Sequence, residues 1–328
     1  MDRILPKVTG NSFPGLGELY PGKILPNTMF LKIFMASSEK QVMQTSIMQT
    51  LKQTIEYPCG CDQLAQNVPL VFKYTTADGA LRCLANGSLL CRPPHEFNDP
   101  LDFAPRFEVP DDNTILEADK ARLDRLNKIT DYFGGWKYPH TPDSRLELAR
   151  SMFQYNRRTT MSNFVRMVCL SRCGCHSPMW AYYANNHKGA VLVFDREKLC
   201  KPPFTMRDVN YSNTPAMVSN KEFEDCLSGT GDLHGSFFQK QKVWIHEQET
   251  RVLAHIPAEC PSAMPMKWGD SKALVGIIIH RMDDGDKDAL LALLEMPALK
   301  HAKVWVMSWY DHGPVFTEWT MTRLNSRN

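Results

Sequence analysis

Three short stretches of this chain carry side chains able to do chemistry together. MWAYYANNHKG, from Met179 to Gly189, crowds rings, amides and a basic pair into one segment. There Tyr183 can stack on a heterocycle, while His187 and Lys188 can meet a phosphate. In HEQETRVL, from His246 to Leu253, Glu247, Glu249 and Arg251 alternate with Gln248, Thr250 and Val252. A strand would set both carboxylates and the guanidinium on one face. Carboxylates so placed can divide labour: one orients a nucleophile or a ribose hydroxyl, the other stabilises a developing cation or takes a proton, and Arg251 can hold one of them ionised. The same residues also suit an exposed charge ladder on a sheet edge. FNDPLD, from Phe97 to Asp102, is the third stretch. Pro100 holds Asp99 extended, and the short polar side chains of Asn98, Asp99 and Asp102 can hold a ligand or cap their own backbone.

The flanking patterns say what positions these stretches. Residues 164–170 and 190–194 are apolar, β-branched runs that read as buried strands. Between them a short helix is expected after Ser177-Pro178, displaying Tyr183 and His187 close together. Upstream, residues 70–75 read as a strand, 77–86 as a helix stopped by Gly87, and 88–91 as a second strand. Residues 114–133 and 142–155 read as two helices of an insertion at about 111–160. Further on, strands are expected at 209–211, 274–279 and 303–307, with helices at 219–227 and 286–294. The loop Ser228-Gly-Thr-Gly231 lacks the lysine and the strand-to-helix setting of a phosphate-binding loop. This order of elements indicates an α+β class.

Composition sets the outer limits. With 328 residues, 43% hydrophobic and 23% charged, the chain can bury one large core or two small ones. A net charge of +2 gives no electrostatic case for a strongly basic nucleic-acid binder, though local patches remain open. The N-terminus MDRILPKVTGNSFPG has no apolar core of signal-peptide length, and no apolar run reaches membrane-spanning length. The expectation is a cytoplasmic protein with no membrane partner, or one secreted into a host cell by a specialised system.

Residues 1–66 read as a loosely ordered extension, a targeting or partner-binding arm, ahead of a single α+β domain over 67–322. Ten cysteines without a secretory signal point to reduced thiols. Cys59-Gly-Cys61 and Cys173-Gly-Cys175-His176 miss the ligand spacing common in zinc sites, so ordinary thiols are expected and no metal.

FNDPLD at 97–102, MWAYYANNHKG at 179–189 and WIHEQETR at 244–251, in that order, resemble the motifs of a widespread bacterial domain family catalogued without a known function. The resemblance covers roughly residues 70 to 320, and three motifs in register are far more specific than any one. This chain departs from that pattern at Leu101 for a Phe, Tyr182 for a His and His246 for a Tyr.

The layout of an early strand with Lys73 and Tyr74, a middle strand ending at Ser171 and a late Glu-x-Glu is similar to that of mono-ADP-ribosyltransferases. That likeness implies a split, mostly antiparallel sheet with helical insertions, and NAD as co-substrate. Lys73 or Tyr74 would take the early position, Ser171 the middle one and Glu247 or Glu249 the last. With Asn98, Asp99, Tyr183, His187 and Lys188 they form the expected cofactor site. The function implied is an ADP-ribosyltransferase-like enzyme acting on a protein or nucleic-acid acceptor, as a bacterial effector, toxin or phage-defence protein. Two alternatives stay open: a non-catalytic nucleotide- or nucleic-acid-binding module that does not need Glu247 or Glu249, and a structural interaction protein whose aromatic motifs are core.

Overall fold

The computed structural model describes residues 61, 64, 68–99, 101–118, 120, 142–230, 235–256, 263–311 and 313–319. The extension expected over 1–66 lies outside them apart from Cys61 and Leu64, and most of the first insertion helix lies outside them too.

Eight strands form the main sheet: β1 Leu70–Thr75, β2 Val165–Ser171, β3 Ala190–Asp195, β4 Thr205–Asp208, β5 Glu249–His255, β6 Leu274–Ile279, β7 Lys303–Tyr310 and β8 Gly313–Glu318. Their spatial order is β8-β7-β6-β3-β1-β2-β5-β4, and every neighbouring pair is antiparallel except β6 and β7. The protein is therefore α+β with a large, mostly antiparallel mixed sheet. Helices accompany it, among the described residues α1 Ala77–Asn86, α2 Pro142–Asn163, α3 Ser177–Tyr183, α4 Arg196–Leu199, α5 Asn220–Ser228 and α6 Asp284–Leu294.

Local chemistry explains where these elements start and stop. Thr76 caps α1 by accepting from the Gly79 amide, and Gly87 ends it in the left-handed region at φ 56°. Ser219 and Glu222 form a reciprocal capping box on α5. In β3 all six residues are buried, which is why the strand reads as one continuous apolar run. Alternation along β1 sends Val71 to one face, with Leu192, Phe194 and α1, and Phe72 and Tyr74 to the other, with Val191, Val193 and Trp180.

The sheet parts in its middle. β1 pairs with β3 at six consecutive positions, but with β2 only at Phe72 and Ser171. β2 turns away to pair with β5 from Val165 to Ser171. In the gap, the ladder is replaced by a side chain: Lys73 Nζ donates to the Cys169 carbonyl at 3.0 Å. Helix α2 runs eight residues past its expected end, because Met161 is buried beneath Phe107 and Phe223 and holds the polar last turns against the core.

Candidate functional site

At the split, the first residue of β5 meets the last residue of β2. Ser171 is opposite Glu249 on one side and Phe72 on the other, so one register position aligns three central strands. Glu249 and Arg251 project from the same face of β5, and both are buried, at 2% and 0% exposure. The edge-ladder alternative fails here, because β5 lies between β2 and β4 and its charges face inward.

Glu247 is not on the strand. It closes the 3-10 turn Lys242–Glu247, and Gln248 follows in the left-handed region at φ 46°. That single residue breaks the alternation expected for a strand from His246, yet Glu247 still arrives in the same buried cluster. Lys240 joins them: its Nζ donates to Glu247 Oε2 at 2.6 Å and Glu249 Oε2 at 3.2 Å, and lies 3.1 Å from Asp102 Oδ2. Arg251 donates through Nε to Glu249 Oε1 at 2.7 Å, through Nη2 to Glu249 Oε2 at 3.1 Å and to Asp102, and through Nη1 to the Phe237 carbonyl at 2.7 Å.

The electrostatics follow from this packing. Burial pushes the Glu249 carboxyl up, but Arg251 and Lys240 together outweigh it and bring it down to about 2. Burial also disfavours the Lys240 cation, and Glu249, Asp102 and Glu247 reverse that and raise it. With three carboxylates against two cations, the cluster has one formal negative charge in excess.

The carboxylates differ in spare capacity. Glu249 accepts three N–H bonds from Arg251 and Lys240 and a further one from the Cys169 thiol, filling the roughly four lone-pair sites of a carboxylate. Glu247 accepts one from Lys240 on Oε2 and one from the Tyr183 hydroxyl on Oε1 at 2.7 Å. Burial and Glu247 raise Tyr183, so its phenol stays protonated and acts as donor. Asn98 hydrogen-bonds the same hydroxyl.

A family comparison falls on this part of the chain. Residues 179–252 match the family model described as Protein of unknown function (DUF2971). No curated protein and no solved structure matches the chain. The DUF2971 match takes in Tyr183, Lys240, Glu247, Glu249 and Arg251, and leaves out β1, β2 and the loop carrying Asn98 and Asp102.

A cleft of about 670 Å³ opens over Glu247, Glu249 and the split in the sheet. Lys73, Tyr74, Asn98, Ser171, Tyr183, Glu247 and Glu249 all line it, so most of the expected site residues come together. Several have structural partners as well. Ser171 Oγ donates to the Glu247 carbonyl at 2.7 Å, fixing the turn that presents that carboxylate. The Tyr74 hydroxyl donates to the Cys173 carbonyl at 2.9 Å and accepts from the His176 amide at 3.1 Å. Asp99 caps its own loop by accepting from the Leu101 amide at 2.9 Å and does not line the cleft.

His187 and Lys188 stand elsewhere. Helix α3 stops at Tyr183, and Asn185, Asn186 and His187 all have positive φ, so the chain turns back before His187 can sit beside Tyr183. His187 stacks on Trp180 at 6.1 Å, its Nδ1 lies 3.2 Å from His280 Nδ1, and Lys188 pairs with Asp283 at 3.5 Å. Neither lines the cleft.

Sequence reading missed Lys240, the buried role of Asp102, and Arg82 and Arg92 on the cleft wall. One signal for Lys240 was available: carboxylates at 102, 247 and 249 cannot all be buried against Arg251 alone, so a second cation was required. Lys240 is placed by a short parallel pairing of Gln239–Lys240 with Asn210–Tyr211. Cys61 shares one apolar cluster with Cys173 and Cys175. Among the described residues, no group of three or more His, Cys, Asp or Glu side chains is arranged to hold a metal ion. No helix among them is long and apolar enough to cross a membrane.

Proposed function

We propose that this chain is an NAD-dependent, ADP-ribosyltransferase-like enzyme acting on a protein or nucleic-acid acceptor. The observation that carries the reading is the carboxylate pair at the mouth of a split sheet, one saturated and one with acceptor sites to spare, beneath a cleft large enough for a nucleotide.

The division of labour follows from those hydrogen bonds. The bond between nicotinamide nitrogen and ribose C1′ breaks, and its electron pair leaves with nicotinamide. The ribose is left oxocarbenium-like, and the excess negative charge of the cluster, with Glu249 held ionised, stabilises it in a medium of low dielectric constant. An acceptor lone pair then forms the new bond at C1′, and the acceptor proton passes to Glu247. The Tyr183 ring offers a stacking surface for the nicotinamide, while its hydroxyl orients Glu247.

NAD labelled in the nicotinamide ring tests this directly. Glu247→Gln is expected to lower nicotinamide release at least a hundredfold, as loss of a general base does. Absence of release by the unaltered protein, with every candidate acceptor, would reject the reading.

A second reading, a non-catalytic nucleotide- or nucleic-acid-binding module, is favoured by one specific observation: every acceptor site on Glu249 is already occupied. On that reading NAD or an oligonucleotide binds with no chemistry, and Glu247→Gln keeps full biological effect.

A further inference from the structure

With His187 and Lys188 outside the cleft, the place where a phosphate would sit has to be found again. Among the described residues, four basic side chains line the cleft: Lys73, Arg82, Arg92 and Lys240. Lys73 is committed to the Cys169 carbonyl across the split, and Lys240 to three buried carboxylates. Arg82 and Arg92 differ. Their side chains are 75% and 54% exposed and line the same cleft as the buried carboxylates.

Each arginine has one carboxylate partner a helical turn or so away, Arg82 with Asp78 at 3.0 Å and Arg92 with Glu96 at 3.1 Å. Exposed pairs of this kind are weak, so a phosphate can compete for the guanidiniums, and a planar guanidinium binds phosphate oxygens in pairs. The backbone beneath Arg92 is fixed, since its amide and carbonyl both bond to Met167 of β2 at 2.9 and 2.8 Å. Tyr182 lines the same cleft with 67% exposure, its ring edge-on to Tyr183 at 6.3 Å. An exposed ring that lines the same cleft as two exposed guanidiniums suits a base and its phosphate.

We propose that Arg82, Arg92 and Tyr182 form a nucleotide subsite at the rim, with phosphate on the two arginines and a base on the Tyr182 ring. The inference builds on the reading of this cleft as a nucleotide site. The phosphate has two possible sources, the ADP half of the co-substrate or a single-stranded nucleic-acid acceptor.

Calorimetric titration with ADP and with nicotinamide riboside, together with anisotropy of a labelled single-stranded oligonucleotide, separates these. All three side chains are exposed, so Arg82→Gln, Arg92→Gln and Tyr182→Ala leave the fold intact. Each arginine variant is expected to weaken ADP or the oligonucleotide about tenfold and to leave nicotinamide riboside unchanged. Loss confined to ADP assigns the subsite to the co-substrate, and loss confined to the oligonucleotide assigns it to the acceptor. Wild-type affinity in all three variants, or no binding of either probe by the unaltered protein, overturns the proposal. Nicotinamide release measured on the same samples keeps the two ideas apart. Binding lost without any release to lose would leave this subsite standing and remove the transferase reading.

Discussion

Arg251 and Asp102 are 149 residues apart in sequence, yet they form a fully buried ion pair. The pair ties the FNDPLD loop to β5, and the same loop carries Asn98 to the Tyr183 hydroxyl. A chain of polar contacts thus runs from Asn98 through Tyr183, Glu247 and Lys240 to Asp102 and returns to the loop it left. The cleft floor is rigid because each member is held from two sides.

Asp102→Ala is therefore expected to destabilise the protein by about 3–5 kcal/mol, since Arg251 and Lys240 both lose a carboxylate they cannot replace with water. Asp102→Asn keeps the shape but not the charge, and should fall between the two. Urea unfolding followed by tryptophan fluorescence measures both. An alanine variant as stable as the parent would mean the loop is not anchored through this pair.

The cluster also sets an acid limit. Glu249 ionises at about 2 in the folded protein, against an ordinary value of 4.5. Between those values the unfolded chain binds more protons than the folded one, so stability falls as pH falls through that window and is fully present above it. The contribution is about 3 kcal/mol. In Glu249→Gln this part of the acid dependence should disappear, leaving a flatter stability curve between about pH 5 and about pH 2. An unchanged acid limb would assign it to other carboxylates.

Much of the scaffold was legible because it is local. The buried run Ala190–Asp195, the Thr76 and Gly87 stops of α1 and the capping box of α5 each follow from residues within one turn or one strand. β4 and β8 were missed for the opposite reason. Thr205–Asp208 and Gly313–Glu318 lack an apolar alternation, and they are strands because β5 and β7 offer them an edge.

The site divides along the same line. Glu247, Glu249 and Arg251 could be picked out from spacing, but the spacing implied one strand face, and the left-handed Gln248 puts Glu247 on a turn instead. Lys240 stood in a segment with no pattern of its own, and its meaning comes only from carboxylates that folding delivers to it. His187 and Lys188 were misplaced because three consecutive positive-φ residues, none of them glycine, cannot be foreseen from helical periodicity.

Gly189 is what lets that turn close. A Cβ there would lie 2.2 Å from the Thr75 carbonyl at the end of β1 and 3.0 Å from Ala184 backbone. Both neighbours are backbone and neither can swing aside. Gly189→Ala should cost about 1–3 kcal/mol and displace α3, carrying Tyr183 off Glu247. Thermal unfolding reads the first effect. The second would appear as weaker NAD binding, and a variant as stable as the parent would show that the turn has room to spare.

Tyr183 separates ring from hydroxyl. Tyr183→Phe removes the donor to Glu247 while keeping the aromatic face, so it should cost about 1.5–3 kcal/mol of stability, the worth of a hydrogen bond to a charged group. On the transferase reading it should leave NAD affinity within about twofold and lower the rate of nicotinamide release, because Glu247 loses its orientation but the stacking surface stays. Tyr183→Ala loses both and should weaken NAD about tenfold. Calorimetry on the two variants side by side decides the matter. If phenylalanine weakens NAD as much as alanine does, the hydroxyl itself binds the ligand, and the contact with Glu247 is one that the ligand must break.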